Sequence, residues 1–293
     1  MMFTSFMFDN MYLSDWGMMA GFVNSSQEDS YSLIGEKTLT TVKVKDKNAY
    51  VSSTADPFNF TFDIIKSRCA NTDDTLSENF IDMLLAWLDV DGYRYFKPIY
   101  DGRGIYPEVH FYVIFTNISL IRIGENIVGL SLTLQADSNH GYYDMRHYEK
   151  TLTADDNKII IANETNRAGV NYFNKVTFTC GANGNIMLSN SRDGKIRTVI
   201  NNCQQNELIT LNGKNKIIET TKPHEKLYND FNYNFPRLVT TRKDILREAM
   251  PLMTDYDDSD AYDSNIYTLD TTAMSSCTVT VDYEPYRKVG LFI

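Results

Sequence analysis

Three stretches far apart in the chain, residues 58–64, 128–134 and 277–283, alternate apolar and polar side chains with a period of two. That period belongs to a strand with one buried and one solvated face, and a helix cannot hold it. In Phe58-Asn59-Phe60-Thr61-Phe62-Asp63-Ile64 three aromatic rings share one face, entered through Asp56-Pro57. Val128-Gly129-Leu130-Ser131-Leu132-Thr133-Leu134 repeats the pattern without a break. In the last stretch Val279 and Val281 lie on one face, Thr278 and Thr280 on the other, and Pro285 stops the strand. Such strands bury one face only by pairing into sheets across long sequence separations. The composition agrees: hydrophobic residues make up 43% and aromatics 13%, with 19 Tyr and 16 Phe, and aromatic and β-branched side chains favour strands. Only 7 Pro and 15 Gly are present, which argues against disorder.

The rest of the first half reads as further strands around one helix. Residues 32–44 alternate loosely, with Leu33, Leu39, Val42 and Val44 as inward candidates, and 110–115 and 118–123 are apolar strands separated by Thr116-Asn117. Thr75-Leu76-Ser77-Glu78 has the form of a capping box, Glu78 reaching back to the amide of Thr75. Leu76, Phe80, Met83, Leu84, Trp87 and Leu88 follow at helical spacing, and Asp91-Gly92 ends the run. The stripe makes Trp87 a core residue.

At 293 residues the chain suits two domains, with a single large β domain as the alternative. The polar break Asp137-Ser138-Asn139-His140-Gly141 places the boundary, giving domains 1–137 and 138–293. Beyond it lie six short strands, 158–161, 175–180, 184–188, 197–200, 207–211 and 217–220, with turns at Ala182-Asn183-Gly184, Arg192-Asp193-Gly194 and Leu211-Asn212-Gly213. Short strands with no helical period indicate a sandwich or jelly-roll, closed by strand 277–283. An acidic insert near 241–264 interrupts them: residues 243–250 form about two helical turns, and 255–263 a solvated loop whose carboxylates add little to folding.

Charge and motifs exclude most chemistries. The net charge is −10 and no basic cluster of length offers phosphates a stable seat. No stretch approaches the roughly 20 apolar residues of a membrane span, and the start lacks the basic region of a secretory signal. Cys69, Cys180, Cys203 and Cys277 are too dispersed for a C-x-x-C site and read as free thiols packed as small hydrophobes. An EF-hand started at Asp255 fails at Ser259, Asp260 and Ile266. His110, His140, His147 and His224 have no ligand spacing, and His110 reads as a core or interface histidine. Asp101-Gly102-Arg103-Gly104 is a loop tip, since no capped helix follows it. No nucleophile elbow, Walker loop or dinucleotide fingerprint is present. No catalytic, cofactor-binding or metal-ligating residue is assigned, and the chain is not expected to be an enzyme.

The opening Phe6, Phe8, Asp9-Asn10, Ser14 and Trp16-Gly17 resembles the start of the distal tail proteins of long-tailed bacteriophages. The order that follows also fits: the Asp56-Pro57 strand, a helix ending in Trp87-Leu88, a long hairpin from Tyr93 to Ile123, then strand 128–134. In the second half, residues 206–216 look like the family's E-x-I-x-I-D/N-G turn, and Leu227-Tyr228-Asn229-Asp230-Phe231 with Phe235-Pro236-Arg237-Leu238 resembles the segment before its final strands. The stretch from Thr241 to about Ser264 departs from the pattern. The resemblance implies a mainly β protein of two sandwich-like domains. The first would carry one helix and a protruding hairpin that wraps a neighbour in a hexameric ring, and the second would be galectin-like.

It further implies a structural virion protein, assembled in the bacterial host cytoplasm. Its ring would be a hub joining the tail tube protein to the tail tip or tail-associated protein of the baseplate. The tape measure protein and receptor-binding proteins or fibres are further implied partners. DNA would pass through the lumen without stable binding, so Lys43, Lys45 and Lys47 are expected on docking faces or the rim. The alternative is a carbohydrate-binding adsorption module acting through the second domain, with Tyr228 and Tyr233 as stacking candidates.

Overall fold

The computed structural model describes residues 3–21, 37–67, 75–100, 109–242 and 264–288. The chain divides into two compact units, one of residues up to Tyr143 together with those from Arg287 on, the other Asp144–Tyr286. Among the described residues no helix is long and apolar enough to cross a membrane.

The first unit contains β1 (Phe3–Phe8), β2 (Met11–Tyr12), a 3-10 turn (Leu13–Trp16), β3 (Met18–Gly21), β4 (Lys37–Val44), β5 (Lys47–Ala55), β6 (Asn59–Lys66), α1 (Glu78–Leu88), β7 (Arg94–Tyr100), β8 (Phe111–Ile123), β9 (Asn126–Ala136) and β10 (Gly141–Tyr142). Seven of these strands form one antiparallel sheet in the order β2-β1-β7-β8-β9-β6-β3. The sheet curls, bringing β3 at one edge beside β1 near the other. Its inward face buries Phe3, Phe6, Phe8, Phe62, Phe96 and Phe111, and α1 lays Leu84, Trp87 and Leu88 against them. The Trp87 indole stacks between Phe6 (5.8 Å, 12°) and Trp16 (5.5 Å, 19°) and donates Nε1–H to the Phe8 carbonyl at 3.1 Å. The core reading of Trp87 holds. Gly129 lets β9 pass close to β6, since a Cβ there would meet the Ile64 carbonyl.

Several expectations shift here. Leu39 (62% exposed), Val42 and Val44 point to solvent rather than inward, and Leu33 lies outside the described residues. The α1 N-cap is Ser77, whose hydroxyl accepts from the Phe80 amide at 3.4 Å, not Thr75. The buried stripe takes Ile81 and leaves Met83 exposed. Residues 110–123 do not form two strands. β8 runs through Thr116 with a bulge between Phe115 and Asn117. The long hairpin is accordingly β8–β9, paired from Val113↔Ala136 to Ile123↔Asn126, while β7 meets β8 only from Arg94↔Val113 to Phe96↔Phe111.

The second unit is a β-sandwich. Its strands are β11 (Arg146–Thr153), β12 (Lys158–Ala162), β13 (Gly169–Tyr172), β14 (Lys175–Cys180), β15 (Gly184–Asn190), β16 (Arg197–Cys203), β17 (Leu208–Asn212), β18 (Ile217–Thr220), β19 (Arg237–Thr240), β20 (Ser264–Leu269) and β21 (Ser276–Tyr283), with the one-turn α2 (Leu227–Asp230). One sheet runs β11-β21-β14-β17-β18, the other β12-β20-β15-β16, and β13 pairs with β19. Phe178, Ile209, Leu211, Val279 and Val281 from the first sheet meet Ile161, Ile186, Ile200 and Leu269 from the second in one core.

Asp193-Gly194 and Gly213 sit in the β15–β16 and β17–β18 hairpins as expected. Ala182-Asn183-Gly184 instead carries the chain from one sheet to the other. The last strand closes the sandwich from within, since β21 lies between β11 and β14. It pairs with β11 from Arg146↔Tyr283 to Thr153↔Ser276 and with β14 through Val176↔Val281 and Phe178↔Val279.

Candidate assembly and binding surfaces

β4 and β5 form a two-stranded ribbon paired from Lys37↔Ala55 to Val44↔Lys47, and it joins no other sheet among the described residues. All seventeen residues from Thr38 to Thr54 are exposed. Both of its edges therefore present backbone donors and acceptors with no ladder partner. The alternation that made this segment look half-buried is real, but the face it marks has no core beneath it.

The ribbon is also the basic part of an acidic chain. It carries Lys37, Lys43, Lys45 and Lys47 against the single Asp46, while the whole molecule has net charge −10. Lys43, Lys45 and Lys47 cluster at its tip, where Lys45 takes a left-handed φ of 55° to make the turn. One face carries Val42 and Val44, and Val51 is the extra residue of a bulge on β5, next to Tyr50.

The second unit carries a buried charge cluster that the sequence did not announce. The His224 imidazole, 2% exposed, places Nε2 at 2.7 Å from Glu207 Oε1 and Nδ1 at 2.9 Å from Asp230 Oδ2. With a carboxylate at each ring nitrogen, the imidazole satisfies both only as the doubly protonated cation. The fully buried Glu207 also accepts from the Gln204 amide at 2.8 Å and from the Thr220 hydroxyl. Asp230 accepts from Asn202 Nδ2 at 2.7 Å. The cluster pins the segment after β18 onto β16 and β17. Phe231 is bridged to Ile200 there, and the Asn232 amide donates to the Val199 carbonyl. On this pinned segment Tyr228 is 63% exposed and Tyr233 55%.

Burial pulls the His224 pKa down, but hydrogen bonds to Asp230 and Glu207 outweigh it, and the net shift is upward from 6.5. Its folded value exceeds its unfolded one, so its contribution is full below about pH 6.5 and is lost as pH rises through the raised value. Asp230, held low chiefly by the hydrogen bond from His224, has the opposite sign: its contribution is lost as pH falls through its depressed pKa. Protection of the amides in residues 221–231, taken relative to their intrinsic exchange rate at each pH, is therefore expected to be greatest at mildly acidic pH and to fall on the alkaline side of the His224 midpoint. An NMR titration placing that midpoint at or below 6.5 would sink this reading.

The other sequence candidates do not gather into a site. His110 is buried, stacked on Tyr95 with ring centres 4.6 Å apart and paired through its backbone with Tyr142. His140 lies against Tyr142 (5.1 Å), and His147 sits 2.7 Å from Asp282 on β21. The Asp101–Gly104 tip and the acidic run 255–263 lie outside the described residues. Among the described residues no group of three or more His, Cys, Asp or Glu side chains is placed to hold a metal ion. What the sequence reading missed is convergence: Glu207, His224 and Asp230 lie 17 and 6 residues apart and share no spacing rule.

Two families match the chain in tandem. Residues 1–138 match the family described as Phage tail protein N-terminal domain, and residues 140–254 the one described as Phage tail C-terminal domain. Among solved structures the chain is similar to the SPP1 Dit (gp 19.1) protein, described as a paradigm of the hub adsorption apparatus in Gram-positive infecting phages. The TM-score is 0.57 at 10% identity, over 97% of this chain and 99% of that one. It is more distantly similar to a chain of the phage p2 baseplate in its activated conformation with Sr, with a TM-score of 0.44 at 8% identity over 99% of both chains. No curated protein matches the sequence.

Proposed function

The chain belongs to the family of phage tail proteins built from these two domains and is a tail component of the virion, and we propose that it serves as the distal tail protein. In this reading six copies close a ring at the end of the tail tube. The ring joins the tube to the tip or baseplate and its receptor-binding proteins. The role is structural and not catalytic.

The observation that carries the proposal is the β4–β5 ribbon. A lone two-stranded ribbon is marginally stable in water, and this one runs through seventeen exposed residues with no core of its own beneath it. Its two open edges and the basic tip suit an acidic neighbour of the same kind. Head-to-tail contact of this sort generates a closed ring when the rotation closes. This assigns the wrapping arm to residues 37–55 rather than to the hairpin expected from residues 93–123. It also places Lys43, Lys45 and Lys47 at a docking face, away from a bore through which DNA must slide without being held.

The test is imaging and mass photometry of the purified protein. Six-fold rings are expected, and replacing Lys43, Lys45 and Lys47 with Glu should shift them to smaller species and leave the far-UV spectrum unchanged. A unit that stays monomeric at every concentration, or rings indifferent to both these substitutions and removal of residues 37–55, would overturn the assignment. A second reading, adsorption to glycans through the second unit, draws on exposed Tyr228 and Tyr233. A glycan array with the full chain separates the two.

A further inference from the structure

Cys180, Cys203 and Cys277 are free and buried, and the fold brings together what the sequence holds far apart. Cys180 ends β14 and is the direct cross-strand partner of Cys277 on β21. The Cys180 amide donates to the Glu207 carbonyl and its own carbonyl accepts from the Asn206 amide, so both backbone groups face β17. Gly181, one residue on, donates instead to Ser276. Cys180 and Cys277 therefore form a non-hydrogen-bonded pair of an antiparallel ladder. In such pairs the Cα atoms approach to about 4.5 Å, within the range a disulfide spans. Both side chains point into the core. The Cys180 thiol contacts both Cys277 and Cys203, the latter arriving from β16 in the facing sheet.

We propose that Cys180 and Cys277 are an oxidisable cross-strand pair, dithiol as synthesised and disulfide after exposure to a two-electron thiol oxidant, with Cys203 left as a thiol. The step balances simply. Each thiol gives up its proton, the two sulfurs give up one electron each and join, and the oxidant takes both electrons and both protons. With an azo compound such as diamide, the N=N bond becomes the corresponding hydrazine. The contact with Cys203 pulls the Cys180 thiol down, but the contact with Cys277 and burial together outweigh it and push the thiol up to about 12. It therefore stays protonated at neutral pH, and reaction in the folded state is slow. The link would close a loop of about 100 residues and tie the start of β21 to the end of β14. This inference is independent of ring formation.

The test uses the full chain, purified reduced, treated with diamide, then denatured and alkylated. Alkylation of two thiols in place of four is expected, with a peptide containing Cys180 joined to one containing Cys277. The apparent melting temperature of the second unit should rise by roughly 5–10 °C and fall back on addition of dithiothreitol. Cys277→Ser should abolish the link and the shift, and Cys203→Ser should keep both. Four alkylated thiols after prolonged oxidation, or a link joining Cys203 or Cys69 in the wild-type chain, would overturn the proposal. Because the wild-type peptide map decides it alone, a variant that fails to fold does not leave it open.

Discussion

A chain ending before Cys277 is expected to lose its second unit altogether, giving insoluble protein or one protease-resistant fragment in place of two. The strand removed, β21, lies between β11 and β14, so its loss opens the middle of a five-stranded sheet. Cys277, Val279, Val281 and Tyr283 leave with it, each 2% exposed or less. At about 1.5–3 kcal/mol for a large apolar side chain, the loss is on the order of 10 kcal/mol before any ladder hydrogen bond is counted. A domain of this size is stable by about 5–15 kcal/mol. Two unpaired strands would then face each other across a gap, an arrangement that recruits other chains. Limited proteolysis and calorimetry of the truncated chain check this. A cooperative transition retained by residues 144–276 would show that β21 is dispensable.

Replacing Trp87 with Ala should destabilise the first unit by about 3–5 kcal/mol, the range for deleting a large buried aromatic side chain. The indole fills the space between Phe6 and Trp16, touches Phe8, and satisfies the Phe8 carbonyl. Removing it separates α1 from β1 as well as leaving a void. Trp87→Phe keeps a ring in place but removes the hydrogen bond to the Phe8 carbonyl, at a cost of about 0.5–1.5 kcal/mol. Denaturant titration followed by far-UV circular dichroism should show both losses in that order. Equal losses would mean that the hydrogen bond, not the packed ring, holds the helix.

The parts of the fold legible in the sequence are those where pattern and burial coincide. Strands β6, β9 and β21 alternate cleanly because each lays one face on a core that admits only apolar side chains. β20 escaped notice because its inward row begins with Asn265, fully buried yet satisfied through the Val239 amide and carbonyl and through Asn190. A buried amide with every partner in place looks like a loop residue in one dimension. β11 was missed for the opposite reason: it lies at a sheet edge and buries only Leu152. The helix was found but started too early, since Thr75 and Ser77 are both competent caps and only the choice of Ile81 over Met83 on the buried stripe separates them. The ribbon shows the limit of periodicity as a signal. Alternation reports a pleat, and whether the apolar row meets the chain's own core or nothing within it depends on the whole fold. The same holds for the thiol trio and the His224 cluster, which are assembled by strand order and leave no spacing to read.

Trp16 and Trp87 are the only tryptophans in the chain, and they are stacked on each other within the first unit. Intrinsic fluorescence is thus a label that nature has confined to one half of the molecule. Emission excited at the red edge of the absorption band will follow the unfolding of that half and will be blind to the sandwich, whose transitions must be read from tyrosine or from heat capacity. Close stacking of the two indoles also makes them a single coupled chromophore, so that a change in their separation alters the near-ultraviolet dichroism before either ring is exposed to water. Tryptophan emission can therefore report on the first unit separately, with no dye and no mutation.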